Sequence, residues 1–357
     1  MNRIKSIDGL RAVSILLVLL SHLIVTLPVD LSKHFFYPII ENGGTGVIIF
    51  FVISGYLITK LLIIEHQKTG DVNIKHFYIR RVFRIFPIFY TYILVIIVLK
   101  LFFVPEIFGN YKTVGVASIY LWNYSQLFHL RPDRMGSWFI GHFWSLSMEE
   151  QFYLLWPITF ALVANKQKLI KITLVIILLM PLLRVATYFV FPGSRPQIGG
   201  MLQTGGDAIL TGCLGAMLES RPDFKEKYGK YFQSNWLAGL SAFFLLFISP
   251  LLADHFRGLY TLPLGKTLED VAIIILLFWS MYVDTPVSKA LNNKLVMQLG
   301  ILSYSLYVWQ QLFLTSVSHF WINKFPQNII AVFVVALISY NLIEKPILKL
   351  KKRFKDV

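Results

Sequence analysis

The sequence predicts an all-α, polytopic transmembrane helix bundle of about ten spans. Two observations carry that expectation. Apolar residue types make up 56% of the 357 residues. That is enough for about ten helices of roughly 20 residues each. Charged types make up only 15%, against about 25% in a soluble domain. The composition excludes a soluble globular enzyme, a disordered chain and a disulfide scaffold. No stretch is long and polar enough to build a large extramembrane domain.

The apolar runs fall at about 9–27, 45–64, 86–104, 146–164, 169–191, 206–220, 236–253, 268–283, 300–320 and 328–345. The first follows Met-Asn-Arg-Ile-Lys, as a signal peptide would. Arg11 interrupts it, however, and no small-residue cleavage site follows, so it reads as an uncleaved span. A further stretch, 113–128, is short and contains Asn123, Ser125 and Gln126. Charge decides its place. Lys and Arg number 34 against 19 Asp and Glu. With a cytoplasmic N-terminus and 113–128 not crossing, twenty-four Lys and Arg fall inside and nine outside, with Arg184 in a span. If 113–128 crossed, this bias would largely vanish. The expectation is therefore ten spans, both termini cytoplasmic, and 113–128 as a re-entrant or outer-surface segment. The formal charge of +15 then reads as basic loops facing anionic lipid rather than as a nucleic-acid surface. Residues 1–345 form the transmembrane domain and 346–357 a basic cytoplasmic tail. The single cysteine, Cys213, cannot form an internal disulfide.

Ionisable residues inside apolar runs are costly and mark candidate sites. Arg11 and His22 lie eleven residues apart on the first helix. At 100° per residue they are about 20° apart in phase, and about 16 Å apart along the axis. A cation at the inner mouth and an imidazole near the top of one helix face fit a tunnel. An anionic donor would dock at Arg11 and present its reactive end at His22. The alternative is that Arg11 snorkels to the interface while His22 hydrogen-bonds a neighbouring helix. Arg80, Arg81 and Arg84 have the helical spacing that suits phosphate contacts, or form an ordinary positive flank. Glu149 and Glu150 open the 146–164 span at the depth expected for His22. There a carboxylate would orient an imidazole; the alternative is a first-turn pair favoured by the helix dipole. Asp207 and Asp8 each stand where a helix cap is expected. Glu344, at the cytoplasmic end of the last span, calls for an Arg partner. Gly43-Gly44-Thr45-Gly46 is no dinucleotide fingerprint, since no strand precedes it. Ser54-Gly55 fits a close helix approach. No sequence-local metal or nucleotide motif is visible.

Taken in order, these motifs resemble the acyltransferase type 3 family of integral membrane acyltransferases, over nearly the whole chain. Ile7 through His22 is similar to its Arg-x10-His motif. Gly46 to Leu57 resembles its second-span signature. Arg81-x-x-Arg84 fits its Arg-x-x-Arg motif. Trp144 to Tyr153 resembles its WSLxxEEQFYL block, with Ser147 and Glu150 in the Ser-x-x-Glu positions. Ser303 to Trp309 and Ile343-Glu344-Lys345-Pro346 are similar to its C-terminal blocks. There are two departures. Gln310 follows Trp309 where the family commonly has His, so no catalytic imidazole stands there, although Gln310 can still hydrogen-bond. Gly205 and Gly206 stand where an Arg often precedes the aspartate, which argues against an Arg–Asp pair at Asp207. Many relatives also carry an SGNH-hydrolase-like domain; with the chain stopping at Val357, such a domain is expected as a separate partner protein.

The resemblance implies transfer of an acyl group, most often acetyl, from cytoplasmic acyl-CoA to a hydroxyl of a cell-envelope or secreted carbohydrate. Acetyl-CoA is then a donor substrate, with no permanently bound cofactor and no metal. Arg11, Arg81 and Arg84, with Arg80 beside them, are expected to hold the CoA phosphates. His22 is expected to act as general base, oriented by Glu150 or Glu149. An acyl-His intermediate is a second route. Asp8, Ser147, Tyr153, Asp207, Tyr307, Gln310 and Glu344 are expected to support the site. The expected location is the inner (plasma) membrane, with the lipid bilayer, acyl-CoA and a carbohydrate as partners and no nucleic acid. The rival class is a transporter or flippase of a polysaccharide precursor, which also places charges on broken spans; no internal repeat supports it.

Overall fold

The computed structural model describes residues 4–28, 34, 37–128, 130, 134–318 and 320–350, and the side chains of all of these but 134–137. The basic residues Arg3, Lys33 and Arg131, and the tail from 351 onward, lie outside the described residues. The described residues form helices joined by turns and loops, with no strand, as the long apolar runs predict.

Six helical stretches are long and apolar enough to cross a membrane: Lys5–Thr26, Tyr37–Thr69, Ile74–Phe102, Lys166–Val190, Asn235–Phe256 and Gln327–Leu350. The expected count of about ten is not confirmed, and the remaining apolar runs form shorter or more polar helices. The 206–220 run forms a helix of only 13 residues, Asp207–Glu219, about 20 Å long against a hydrocarbon core of about 30 Å. Lys266–Tyr282 has 17 residues. Phe143–Leu162 and Lys294–Phe313 have 20 residues each. Ser, Glu and Gln dilute them, including Glu149, Glu150 and Gln151 on the first and Gln310 and Gln311 on the second. The 113–128 stretch is split between an eight-residue helix, Tyr111–Ser118, and a 3-10 turn, Trp122–Phe128. Neither is long enough to span.

The chain divides into two compact units. The first comprises Met1–Leu20, Leu31–Val72 and Ile158–Ile301. At its centre the Gly43–Thr69 helix packs backbone to backbone on Asp207–Glu219. A Cβ on Gly55 would lie 1.9 Å from the Ile209 carbonyl oxygen, and one on Gly212 would lie 2.0 Å from that of Val52. Only hydrogen fits at either crossing point, as Ser54-Gly55 led us to expect. A buried ion pair ties a third helix to this pair. Arg184 Nη1 donates to Asp207 Oδ2 at 2.7 Å, with both side chains at most 2% exposed. The guanidinium also donates to the Leu262 carbonyl (2.9 Å) and to Thr267 Oγ1 (2.6 Å). Asp207 is thus in an Arg–Asp pair after all. Its arginine comes from the Lys166–Val190 helix, not from the residues just upstream. Asp207 is also the first residue of its helix and not the cap. Asp8, expected as a cap, is instead a buried residue in the first turn of Lys5–Leu23. Glu219 accepts from the Tyr56, Tyr282 and Lys60 side chains. At the surface, Arg221 and Lys227 hold the Asp223 carboxyl well below the usual carboxylate range.

The second unit comprises Ser21–Asp30, Asn73–Pro157 and Leu302–Val357. Its frame is the Ile74–Phe102 helix, whose buried Tyr92 donates to the Phe139 carbonyl at 2.7 Å. The Asn73 side chain accepts from His76 N and starts that helix. Lys100 closes its far end by donating to the Pro105 and Phe108 carbonyls. Paired amides of Asn123 and Gln151 pin the 3-10 turn to Phe143–Leu162. Asn328 reaches Thr26 Oγ1 at 2.7 Å.

Candidate active site

His22 ends the apolar Lys5–Leu23 helix, half-buried in the second unit. Its Nδ1 lies 2.9 Å from Gln310 Oε1. An amide oxygen only accepts, so Nδ1 carries the proton and Nε2 keeps its lone pair. The ring meets the edge of Trp138 at 5.4 Å between centroids. Gln310 is fully buried on the Lys294–Phe313 helix. The partner of His22 is therefore this amide and not Glu150 or Glu149, which corrects the expected carboxylate–imidazole pair.

The two glutamates face basic residues instead. Arg81 lies within electrostatic reach of Arg84, Tyr153, Glu149 and Glu150. Its guanidinium sits over the Tyr153 ring at 4.5 Å and the Phe77 ring at 5.5 Å. The Tyr153 hydroxyl donates to Glu149. Glu150 Oε1 and Ser147 Oγ are buried with no hydrogen-bond partner among the described residues. The reason for the pairing lies in the helices. Arg81 and Arg84 are three residues apart on Ile74–Phe102, while Glu149, Glu150 and Tyr153 lie within two turns of Phe143–Leu162. A carboxylate in apolar surroundings is offset by a guanidinium before it is offset by a neutral imidazole.

The other expected residues fall into place around this frame. Tyr307 lies 2.5 Å from Ser145 Oγ and donates to the His142 carbonyl at 3.1 Å. Glu344 accepts from Ser305 Oγ at 2.9 Å. Arg80 is half-buried on the same helix as Arg81. Arg11, Asp8 and Asp207 belong to the first unit. Among the described residues no group of three or more His, Cys, Asp and Glu converges to hold a metal ion.

Three residues escaped the sequence reading. His142 Nδ1 lies 2.6 Å from Gln311 Oε1, and Trp138 Nε1 donates to the Gln311 carbonyl at 3.0 Å. The signal was adjacency: Gln311 follows Gln310, and His142 stands two residues before Trp144. The second unit holds the half-buried His22 imidazole and, on the Ile74–Phe102 helix, a cationic cluster of Arg80, Arg81 and Arg84. A base and an anion anchor are what a transfer from a phosphate-bearing donor to a hydroxyl requires.

The chain is 29% identical over 367 residues to the peptidoglycan O-acetyltransferase OatA of Listeria monocytogenes serovar 1/2a; the match covers 97% of this chain and 56% of that protein. It is 30% identical over 369 residues to the O-acetyltransferase OatA of Staphylococcus aureus strain NCTC 8325, covering 97% and 57% respectively. The chain thus spans little more than half the length of these relatives. No solved structure matches it. A family model described as an acyltransferase domain matches residues 4–343. With the match running over nearly every residue, the chain belongs to the acyltransferase type 3 family.

Proposed function

We propose that this chain is a membrane O-acetyltransferase that moves an acetyl group from cytoplasmic acetyl-CoA to a hydroxyl of a cell-wall carbohydrate. The observation that carries the reading is the His22–Gln310 pair. It leaves a basic Nε2 on an apolar helix, in a family whose named relatives acetylate oxygen. His22 Nε2 takes the proton of the acceptor hydroxyl as its oxygen attacks the thioester carbonyl. The carbon–sulfur bond breaks, and the imidazolium returns the proton to the leaving thiolate. The atoms balance with no metal and no redox partner. Arg81 and Arg84, with Arg80 beside them, supply cations for the CoA phosphates, and Arg11, eleven residues before His22 on its helix, is a separate candidate cation. Glu149 and Glu150 keep Arg81 in place and do not touch the base.

Both termini lie in the cytoplasm of the plasma membrane in this reading, following the charge bias of the loops. The test is transfer itself. Purified protein, labelled acetyl-CoA and a soluble peptidoglycan fragment should give a labelled ester. His22→Ala should lower that yield by about 10²–10⁴-fold while the protein stays folded. An unlabelled fragment with wild-type protein, or full labelling with His22→Ala, would overturn the proposal.

A further inference from the structure

More than about nine in ten buried polar groups in folded proteins find a hydrogen-bond partner. Among the described residues, several exceptions gather within a few residues of one another in the second unit. They are His142 Nε2, Ser147 Oγ and Glu150 Oε1 along one stretch, and Trp309 Nε1 and Gln310 Nε2 along another. The His142 exception has the firmest chemistry. The residue is 3% exposed. Its backbone N–H donates to Gln311 Oε1 at 3.1 Å, and its Nδ1 lies 2.6 Å from the same oxygen. A backbone N–H can only donate, which fixes the Gln311 amide with its oxygen toward His142. That oxygen can only accept, so Nδ1 must carry a proton. In the neutral ring the lone pair then sits on Nε2, buried and without a donor. Charging the ring would bury an unpaired cation, which costs far more.

Aromatic rings pack around the His142 imidazole. Phe143, Tyr92 and Tyr307 lie 4.4, 5.3 and 5.8 Å from the His142 ring centroid, and Trp309 packs on Tyr92 at 5.5 Å. Trp138 links His142 to His22. It holds the Gln311 backbone and abuts the His22 ring. The two imidazoles are within electrostatic reach of each other. We infer that His142 is a second substrate-contacting imidazole of the transfer site, its Nε2 accepting a hydrogen bond from a hydroxyl of the sugar acceptor. This rests on the acyl-transfer reading above. Neighbouring hydroxyls of one sugar ring engage the two histidines, one at His22 as the reacting group and one at His142 as the orienting contact. The ring's apolar face lies against the aromatics.

The test is His142→Phe in the full chain, assayed with acetyl-CoA and a soluble peptidoglycan fragment. Phenylalanine keeps an aromatic ring and deletes both nitrogens, the acceptor Nε2 and the Nδ1–H that donates to Gln311 Oε1. The expected result is a fall of about tenfold or more in kcat/KM for the fragment. The KM for acetyl-CoA stays unchanged. The unfolding midpoint stays within a few degrees of wild type, because the unpartnered acceptor goes together with the Nδ1–H bond and the Gln311 oxygen keeps the backbone N–H of residue 142. Fragment kinetics within twofold of wild type would overturn the inference alone, since transfer by the wild type still stands. A rise in the acetyl-CoA KM instead would overturn it by placing the nitrogen against the donor. Wild-type protein that transfers nothing removes the acyl-transfer reading and this inference with it. Should the phenylalanine variant not fold, ring-labelled histidine in the wild type gives a second readout. The His142 Nε2 resonance is unprotonated and moves when the fragment is added; a protonated Nε2, or one that stays in place, refutes the assignment.

Discussion

Replacing Gln310 by leucine deletes one hydrogen bond on His22 and little else. Gln310 is fully buried, its Oε1 lies 2.9 Å from His22 Nδ1, and its own Nε2 has no partner. Leucine is similar in volume, so the packing around residue 310 survives. What is lost is the bias that keeps the proton on Nδ1 and the lone pair on Nε2. A hydrogen bond of this kind is worth about 0.5–1.5 kcal/mol net, which is about a 2- to 13-fold change in population at 25 °C. The expected outcome is a fall in kcat of about that size, with the KM for acetyl-CoA unchanged and the unfolding midpoint within a few degrees of wild type. Gln310→Asn should show the same loss, because a side chain shorter by one methylene withdraws the oxygen from Nδ1. Gln310→His, which installs the residue common in the family, should recover part of the rate. Steady-state kinetics on purified protein, beside a thermal melt, decide the matter. A leucine variant with wild-type kcat would show that the amide does not set the tautomer. A loss as deep as that of His22→Ala would show that Gln310 does more than position the ring.

Other consequences can be checked independently. Arg81→Ala should weaken acetyl-CoA binding by about 10- to 100-fold, the range for losing a charge-assisted hydrogen bond; an unchanged donor affinity in a direct binding assay defeats the phosphate assignment. Asp207→Ala strands the buried Arg184 guanidinium and should cost about 3–5 kcal/mol, lowering the melting midpoint by several degrees. Most of that should return in the Arg184→Met/Asp207→Leu double variant; no recovery means the two side chains are not a coupled pair. Gly55→Ala places a methyl 1.9 Å from the Ile209 carbonyl oxygen and should destabilise by about 1–3 kcal/mol or more. Gly115→Ala, with nothing within 4 Å of the added carbon and a helical position in Tyr111–Ser118, should not lower the melting midpoint and should raise it slightly, since alanine is about 0.5–1 kcal/mol better than glycine inside a helix.

Helical character and the main apolar segments were legible in the sequence because each is a local property. The number of crossing helices was not, and Asp207–Glu219 shows why. Ten of its 13 residues are buried in protein, many against Gly43–Thr69. An apolar run reports that its surroundings are apolar; it does not say whether they are lipid or a neighbouring helix. Glycine pairing at Gly55 and Gly212 lets the short helix lie so close that its hydrophobicity is used on another backbone. The same limit applied to the site. The eleven-residue spacing of Arg11 and His22, and the three-residue spacing of Arg81 and Arg84, could be read within single helices. The partner of His22 is 288 positions away, and that of Asp207 is 23 positions upstream on a different helix. No local pattern encodes either pairing.

The departure at residue 310 bears on how this chain keeps its base ready. An imidazole at that position would itself exchange protons, so the tautomer of His22 would follow the charge of its neighbour. A glutamine amide does not titrate in the working range. With Gln310 beside it, the His22 tautomer does not follow the titration of that neighbour. Next to it on the same helix, Gln311 does for His142 what Gln310 does for His22, with the same Nδ1-to-Oε1 contact. Two consecutive amides thus favour the same tautomer in two imidazoles, with the lone pair on Nε2. Exchanging one amide at a time should therefore separate their roles. A change at residue 310 should act on turnover, and a change at residue 311 on the apparent affinity for the sugar, and a double variant in which the two effects fail to multiply would show that the imidazoles act as one unit.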